Sequence, residues 1–260
     1  MKTDESDQEE KLDSYIKVQS LQLPWLDILL PKEVINFLWD AINHVDSHTD
    51  AEKELAGNVS KSSFILDKDN WFYKTILEKL VSSMFYRSWN NYYCIHIEKM
   101  IPAPIFQLDE MWVNYQKQNE FNPPHFHDGH YSFVVFMKIP THWKEQHALP
   151  FVVNSNAPCA SDFQFLQAGS GHEGPLVRTN NIPLSPEDEG RLLFFPAWLS
   201  HQVFPFYGTE EERITIGGNI DLEGEKEFYA QSNESLNKIH KHRQPIRKLS
   251  EEEKEAEKNS

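Results

Sequence analysis

The chain has 260 residues, 10 glycines, 15 prolines, two cysteines and a formal net charge of −15. This length permits one sizeable hydrophobic core, and the ordinary glycine and proline content excludes collagen-like and wholly disordered chains. Two cysteines cannot build a disulfide framework, and the acidic balance argues against a basic face that would neutralise the phosphates of a nucleic acid.

The N-terminal segment lacks the basic start and apolar centre of a signal peptide, and no apolar run reaches the length of a membrane span. We therefore predict a cytoplasmic protein that does not associate with a membrane. Residues 1–14 are charged and have no hydrophobic period, which predicts a disordered acidic N-terminus.

Residues 15–91 are predicted to form a helical segment that packs on the main sheet. The apolar stretch Leu21–Leu30 precedes a helix that begins at Pro31 and ends near Val45. A second amphipathic helix is predicted over Asp69–Trp89, because apolar residues recur there at helical spacing.

From Tyr92 onward the helical periods give way to short β-prone segments that are separated by turns. Several short strands with few helices between them predict a mainly β fold, a sandwich or a jelly roll, with the N-terminal helices beside it. Residues 223–260 are rich in charge and are predicted to be a charged C-terminal helix or tail. The first predicted strand lies near Tyr92. The later ones are Phe106–Tyr115, Tyr131–Ile139, Leu149–Val153, Phe163–Leu166, Arg191–Phe195, Gln202–Phe206 and Arg213–Ile220.

A pair of histidines is the first candidate for chemistry. His125 and His127 are separated by one residue and stand just before the apolar run Tyr131–Met137. On an extended strand, residues i and i+2 project from the same face, so the two imidazoles can bind one metal ion. His201, which also precedes an apolar run, is the natural third ligand from a distant strand. Imidazole ligands favour iron, zinc, copper or nickel over magnesium and calcium.

Two other interpretations of these histidines stay open at this point. They can be ordinary polar loop residues, since the chain contains twelve histidines. They can also belong to a motif similar to the H-x-H-x-D-H motif of binuclear zinc hydrolases, which His125, His127 and His130 would match. Against this, Asp128 stands one place too early for that motif.

A candidate anion site lies in the segment RITIGGNI. Arg213 and Thr215 are again i and i+2, so both are expected to project to one face of a strand, opposite Ile214 and Ile216. An arginine fork binds a carboxylate through two parallel hydrogen bonds, and a neighbouring hydroxyl can add a third. The alternative is a surface ion pair between Arg213 and the acidic run at residues 210–212.

These features together resemble a known family. A histidine pair before an apolar strand, then F-P-x-x-x-x-H, then R-x-T resembles the Fe(II)- and 2-oxoglutarate-dependent dioxygenases, most closely their prolyl-4-hydroxylase-like branch. The segments NPPHFH, YSFVVFMKIP, LLFFPAWLSHQVFPF and ERITIGGNI are similar to oxygenases encoded by tailed phages of cyanobacteria. The resemblance covers about residues 92–222 and is thin over Thr141–Glu189. A phage origin would place the protein in the host-cell cytoplasm.

The resemblance implies that residues 92–222 form a double-stranded β-helix, which is a form of jelly roll. It implies that His125 and His201 are the first and last iron ligands. Arg213, helped by Thr215, is expected to bind the far carboxylate of 2-oxoglutarate.

Tyr115 lies on the preceding predicted strand, and the resemblance implies that its hydroxyl reaches the same carboxylate. The implied cofactors are Fe(II), 2-oxoglutarate and O2, with ascorbate as a candidate reductant. The implied reaction hydroxylates an unactivated C–H bond and releases succinate and CO2. A prolyl residue is the family-level candidate for the substrate, with another protein side chain or a small molecule as alternatives.

The chain departs from the family at one position. The usual motif is H-x-D, and His127 occupies the place of the acid. We favour His127 as the ligand because i+2 keeps the facing that Asp128, at i+3, loses on a strand; Asp128 is the alternative ligand. The missing acid leaves two further hypotheses open. One is a catalytically silent jelly-roll module that retains metal or 2-oxoglutarate, and the other is a three-histidine metal enzyme that does not use 2-oxoglutarate.

Overall fold

The computed structural model of the chain describes residues 16–17, 25–44, 57–84, 105–171 and 174–223. The predictions of a disordered N-terminus, of a strand near Tyr92 and of a C-terminal helix or tail lie outside these residues, apart from Glu223. Within the described part, no helix is long and apolar enough to cross a membrane.

The described fold consists of short strands with few helices. The helices are α1 (Lys32–Asn43), α2 (residues 71–84, with a π turn at Tyr73–Leu77) and α3 (Trp143–His147). Two 3₁₀ turns lie at Lys68–Asn70 and Pro186–Asp188. The strands are β1 (Ile16–Lys17), β2 (Leu26–Leu29), β3 (Lys61–Phe64), β4 (Phe106–Gln116), β5 (Asn122–His125), β6 (Tyr131–Lys138), β7 (Phe163–Gly171), β8 (Gly174–Ile182), β9 (Arg191–Pro196), β10 (His201–Val203) and β11 (Arg213–Leu222).

These strands form two antiparallel sheets. The large sheet has seven strands in the order β1-β2-β9-β6-β11-β4-β3, and the small sheet has four in the order β5-β10-β7-β8. The large sheet pairs strands that are distant in sequence, as in β6 beside β9 and β11. The predicted mainly β jelly roll with flanking helices is confirmed.

Strand β6 explains how the two layers of core arise. Its run YSFVVFM is apolar at almost every position, which is typical of a strand that is buried on both faces. Phe133 and Val135 face a core that α1 and α2 share with the large sheet, whereas Phe136 faces a core between the two sheets. Helix α1 contributes Val34 and Leu38 to the first core at helical spacing.

Two details differ from the predictions. Pro31 is the residue that caps α1, with extended backbone, and the first helical residue is Lys32. The predicted strand Leu149–Val153 is wrong, because these residues form turns in which the Val152 and Val153 amides donate to the Leu149 carbonyl. The side chain of Val153 is 56% exposed, so its apolar character does not reflect a core position.

Strand β5 was not predicted as a strand, and its sequence NPPH contains two prolines. Proline cannot donate to a ladder and is therefore confined to edge strands. Strand β5 lies at the edge of the small sheet, where one side of its backbone needs no partner. The pairing of β5 with β10 on its other side places His125 directly beside His201.

Candidate metal centre and active site

Sheet pairing brings the three predicted histidines together. His125 ends β5 and His201 begins β10, and the two residues are direct partners in the antiparallel register of the small sheet. His127 follows β5, and its backbone amide donates to the Ala197 carbonyl at 3.0 Å, which ties it to the turn between β9 and β10. The cluster therefore depends on two short strands and one turn.

The geometry of this histidine cluster fits a single metal ion. One ring nitrogen of each of His125, His127 and His201 lies within 4.8 Å of the others, and no other such group of His, Cys, Asp or Glu occurs among the described residues. The Nε2 atoms of His127 and His201 are 3.3 Å apart. Two nitrogens that are each about 2 Å from one ion would lie roughly 3 Å apart.

Backbone carbonyls fix the tautomers of two of the rings. His125 Nδ1 lies 2.7 Å from the Pro123 carbonyl oxygen, and His201 Nδ1 lies 3.0 Å from the Leu199 carbonyl oxygen. A carbonyl oxygen only accepts, so each Nδ1 carries the proton and each Nε2 keeps its lone pair. Both rings are thus held in the form that binds a metal through Nε2.

Burial also keeps the rings neutral. Desolvation lowers the pKa of His125, and it lowers the pKa of His127 to about 4, with a further contribution from His125. The pKa of His201 is lowered well below its usual value, first by burial and then by the two neighbouring rings. Neutral imidazole is the metal-binding form, so the site has its ligands deprotonated at neutral pH.

The structure does not support the alternatives that involve Asp128. Its side chain is exposed, and it is not part of the histidine cluster. His130 is likewise directed elsewhere, since its Nδ1 lies 2.8 Å from Asp221 Oδ1. The motif similar to that of binuclear zinc hydrolases is therefore wrong for this chain, and His127 is the residue that faces the other two histidines.

A cavity opens beside the histidine cluster and runs between the two sheets. Its volume is about 800 Å³, including space that is continuous with solvent. Aromatic rings, among them Trp112, Phe163 and Phe195, line the part nearest the histidines. The cavity also has a polar wall, which consists of Ser62, Asn114, Gln116 and Thr215.

Arg213 is the first residue of β11, and its buried side chain lies on the same face of that strand as Thr215. It is 1% exposed, and its Nη2 donates to the carbonyl oxygen and the hydroxyl oxygen of Ser161, at 2.8 and 2.5 Å. Nη1 donates to Gln116 Oε1 at 3.3 Å, whereas Nε is buried and has no partner in the described part of the chain. The guanidinium carbon lies 5.0 Å from the ring centre of Phe206. The predicted alternative, a surface ion pair with residues 210–212, is wrong because the side chain is buried.

The contrast with Arg191 shows what Arg213 lacks. Arg191 donates from Nε and Nη2 to both oxygens of Asp27, at 2.9 and 2.6 Å, which is a bidentate carboxylate pair. Arg213 has no ion pair within 4.0 Å among the described residues, and burial lowers its pKa to about 10 although Asp162 opposes this. Among the described residues, Arg213 is therefore a buried cation whose Nε has no acceptor and whose hydrogen-bond partners, Ser161 and Gln116, are both neutral.

Thr215 and Tyr115 fall on different sides of the large sheet. Thr215 lines the cavity, as predicted for a residue on the same face as Arg213. Tyr115 is the register partner of Ile214 and packs with it against the core that faces the helices, with Lys61 Nζ 4.4 Å from its ring centre. The assignment of Tyr115 to the co-substrate site is therefore corrected, since its ring lies on the wrong face of β4.

Sequence reasoning missed the residues that surround Arg213. Gln116 is the direct register partner of Arg213 on β4, and Asn114 is that of Thr215. The alternation of side chains along β4 is a signal that could have found them, because the two neighbours of Tyr115 must face the cavity if Tyr115 faces the helices. Ser161 carries no comparable signal, since it lies in a turn that only the tertiary fold places beside Arg213.

Residues 110–219 match the family model described as "Putative 2OG-Fe(II) oxygenase". The match supports placement in the 2OG-Fe(II) oxygenase superfamily. It includes every histidine of the cluster and also Arg213. No curated protein matches the chain in sequence.

Solved structures of similar fold were also found. A viral collagen prolyl hydroxylase from Paramecium bursaria Chlorella virus-1, in complex with 2-oxoglutarate, is 14% identical, with a TM-score of 0.41 over 76% of this chain and 96% of that one. A prolyl-4-hydroxylase of Pseudomonas putida is 12% identical, with a TM-score of 0.42 over 82% and 96%. HygX of Streptomyces hygroscopicus, with nickel, 2-oxoglutarate and hygromycin B bound, is 10% identical, with a TM-score of 0.41 over 83% and 86%.

Proposed function

We propose that the protein is an Fe(II)- and 2-oxoglutarate-dependent dioxygenase that hydroxylates an unactivated C–H bond. The observation that carries this proposal is the pairing of two features at one cavity. Three neutral imidazoles converge on a single point beside this cavity, and a buried guanidinium, without a carboxylate partner among the described residues, lies on the side of the large sheet that faces the cavity. The three imidazoles are suited to bind a metal ion, and the guanidinium is suited to bind one carboxylate of a dicarboxylate.

The histidine cluster fits iron by the chemistry of its donors. His125, His127 and His201 would hold the ion, the first and last of them through Nε2, and nitrogen ligands of this kind suit Fe(II). Because all three donors are neutral, the cluster would leave the double positive charge of Fe(II) uncompensated, which favours an anionic co-substrate beside it. With O2 as the oxidant, bound iron and 2-oxoglutarate would supply the oxidising chemistry, in which one oxygen atom goes to the substrate and the other to succinate, with release of CO2.

The protein side chains would bind the co-substrate and exclude water from the site. Arg213 would bind the far carboxylate with the donors that it has to spare, and Thr215 would offer a hydroxyl from the cavity wall. The rings of Phe163 and Phe195, whose centres lie 5.4 and 4.9 Å from that of His201, shield the cluster from bulk water. Ascorbate as a reductant, a prolyl or other polypeptide side chain as the substrate and a cytoplasmic location belong to the same proposal.

The direct test is turnover by the full chain. Incubation with Fe(II), ascorbate, O2 and 2-oxoglutarate is expected to release succinate, and the release is expected to rise when a true substrate is present. Metal uptake is measured separately with Ni(II) and calorimetry. A chain that takes up no metal and binds no 2-oxoglutarate would contradict the proposal.

The second candidate is a binding module without turnover, and the presence of His127 in the cluster favours it. Such a module would bind metal or 2-oxoglutarate but would not decarboxylate the co-substrate. The substitution His127→Asp distinguishes the two functions. In an active enzyme that depends on three imidazoles the substitution reduces succinate release, whereas in a silent module it creates succinate release.

A further inference from the structure

Gln116 stands between Arg213 and the cavity. The two residues are register partners on neighbouring strands, so their side chains project side by side from the same face of the large sheet. Gln116 lines the cavity, whereas Arg213 is 1% exposed and is not among the residues that line it. The carboxamide of Gln116 therefore lies between the guanidinium and the cavity.

The carboxamide is held in place at both ends. Its oxygen accepts from Arg213 Nη1 at 3.3 Å, and its Nε2 donates to the Glu120 carbonyl oxygen at 2.6 Å. The bond to Arg213 is long for a charge-assisted hydrogen bond, whereas the bond to Glu120 is short. The contact with the cation is thus the weaker of the two.

We propose that Gln116 acts as an internal substitute for the co-substrate. Its oxygen occupies the side of Arg213 that the far carboxylate of 2-oxoglutarate requires, and the co-substrate binds by displacing it. This inference rests on the proposed function and adds a residue that sets co-substrate affinity. The neutral carboxamide shields a buried cation whose Nε has no partner among the described residues, and it yields to a charged oxygen that binds a guanidinium more strongly.

A matched pair of substitutions tests the proposal in the Ni(II)-loaded full chain. Both Gln116→Met and Gln116→Glu keep the length of the side chain, and both lose the donor to Glu120. They differ in that glutamate places a permanent carboxylate against Arg213. We expect Gln116→Met to tighten 2-oxoglutarate binding at least fivefold and Gln116→Glu to weaken it at least tenfold, measured by calorimetry.

Pyruvate is the control ligand, because it has the same metal-binding keto acid but no far carboxylate. Its affinity is expected to change less than twofold in either variant. Gln118→Ala is the control variant, since Gln118 lies two residues further on and its side chain donates to Glu210, whereas that of Gln116 accepts from Arg213. Thermal melting of each metal-free variant verifies that the fold is retained.

Opposite changes in the two variants support the proposal, because a purely structural role would weaken binding in both. Weaker binding in both would overturn it and make Gln116 a direct contact of the co-substrate. Unchanged affinity in both would overturn it as well. Failure of the proposed function has a different signature, since the unsubstituted Ni(II)-loaded chain would then bind neither 2-oxoglutarate nor pyruvate.

Discussion

Ser161 binds Arg213 twice, through its backbone carbonyl and its hydroxyl, and it does so in a left-handed conformation. The φ angle of Ser161 is 73°, and the residue is fully buried. A non-glycine residue in this region is strained by roughly 1 kcal/mol or more. The strain is retained because the conformation directs both oxygens of one residue at Nη2 of the buried guanidinium.

The first prediction concerns this serine. Ser161→Ala removes a hydrogen bond to a buried charge and keeps the strain, so it is expected to lower the free energy of unfolding by about 1.5–3 kcal/mol. Ser161→Gly removes the same bond but relieves the left-handed strain, so its loss is expected to be smaller by about 1 kcal/mol. Urea denaturation of the two variants measures the difference. A glycine variant less stable than the alanine variant would show that the strain argument is wrong.

The second prediction concerns pH. The pKa of His127 is lowered to about 4, below that of an unfolded histidine, so between these values the unfolded chain binds more protons than the folded chain. The stability of the metal-free protein is therefore expected to fall as the pH drops from about 6.5 towards 4, by at most about 3 kcal/mol from this residue. His127→Gln is expected to flatten the fall in denaturation experiments at several pH values.

The control for this experiment is His44→Gln. His44 is exposed at the end of α1 and lies outside the histidine cluster. Its substitution is expected to leave the pH dependence unchanged. An equal flattening in both variants would show that the cluster is not the source of the effect.

The third prediction concerns the glycine that allows Trp112 to approach β11. A Cβ at position 217 would lie 2.7 Å from the Trp112 ring, so Gly217→Ala forces the ring to move. The centres of the Trp112 and His127 rings are 5.6 Å apart. We expect a loss of about 1–3 kcal/mol in stability together with weaker Ni(II) binding, measured by denaturation and calorimetry.

Gly208 provides the comparison for this substitution. Its φ is +85°, and no atom of the described residues lies within 4 Å of the position that a Cβ would take. Gly208→Ala therefore adds backbone strain without displacing a neighbour. It is expected to cost about 1 kcal/mol and to leave Ni(II) affinity unchanged. Equal losses of metal affinity in the two variants would contradict a specific role for Trp112.

The sequence predicted the elements whose side-chain pattern is set by burial. Strand β6 is apolar on both faces, and the spacing of Val34, Leu38 and Ile42 marks the buried stripe of α1. The strands that were missed are polar or proline-containing, such as KSSF in β3 and NPPH in β5, because their positions are set by backbone pairing at or near sheet edges. Local composition does not encode such pairing.

The residues of the candidate site also fall into two groups, those that the sequence predicted and those that it did not. The histidines could be grouped because two share one short segment and the third lies in a motif at a recognisable distance. Tyr115 was misassigned because the prediction relied on the family resemblance and on its place in the preceding predicted strand, although a shift of one residue reverses the face of a strand. Gln116, the next residue, occupies the position that was expected of Tyr115.

The last prediction compares two arginines of the large sheet. Arg213→Met removes a buried cation that has no carboxylate partner among the described residues, so the free energy of unfolding is expected to change by less than about 1 kcal/mol or to rise. Arg191→Met breaks the bidentate pair with Asp27 and leaves that carboxylate buried, which is expected to cost about 3–5 kcal/mol. Denaturation measures both changes.

Calorimetry with the Ni(II)-loaded chain is expected to show that Arg213→Met abolishes 2-oxoglutarate binding and that pyruvate binding remains. If Arg213→Met destabilised the chain as much as Arg191→Met, Arg213 would be a structural residue. If it left turnover unchanged, the cluster would belong to a three-histidine metal enzyme that does not use 2-oxoglutarate.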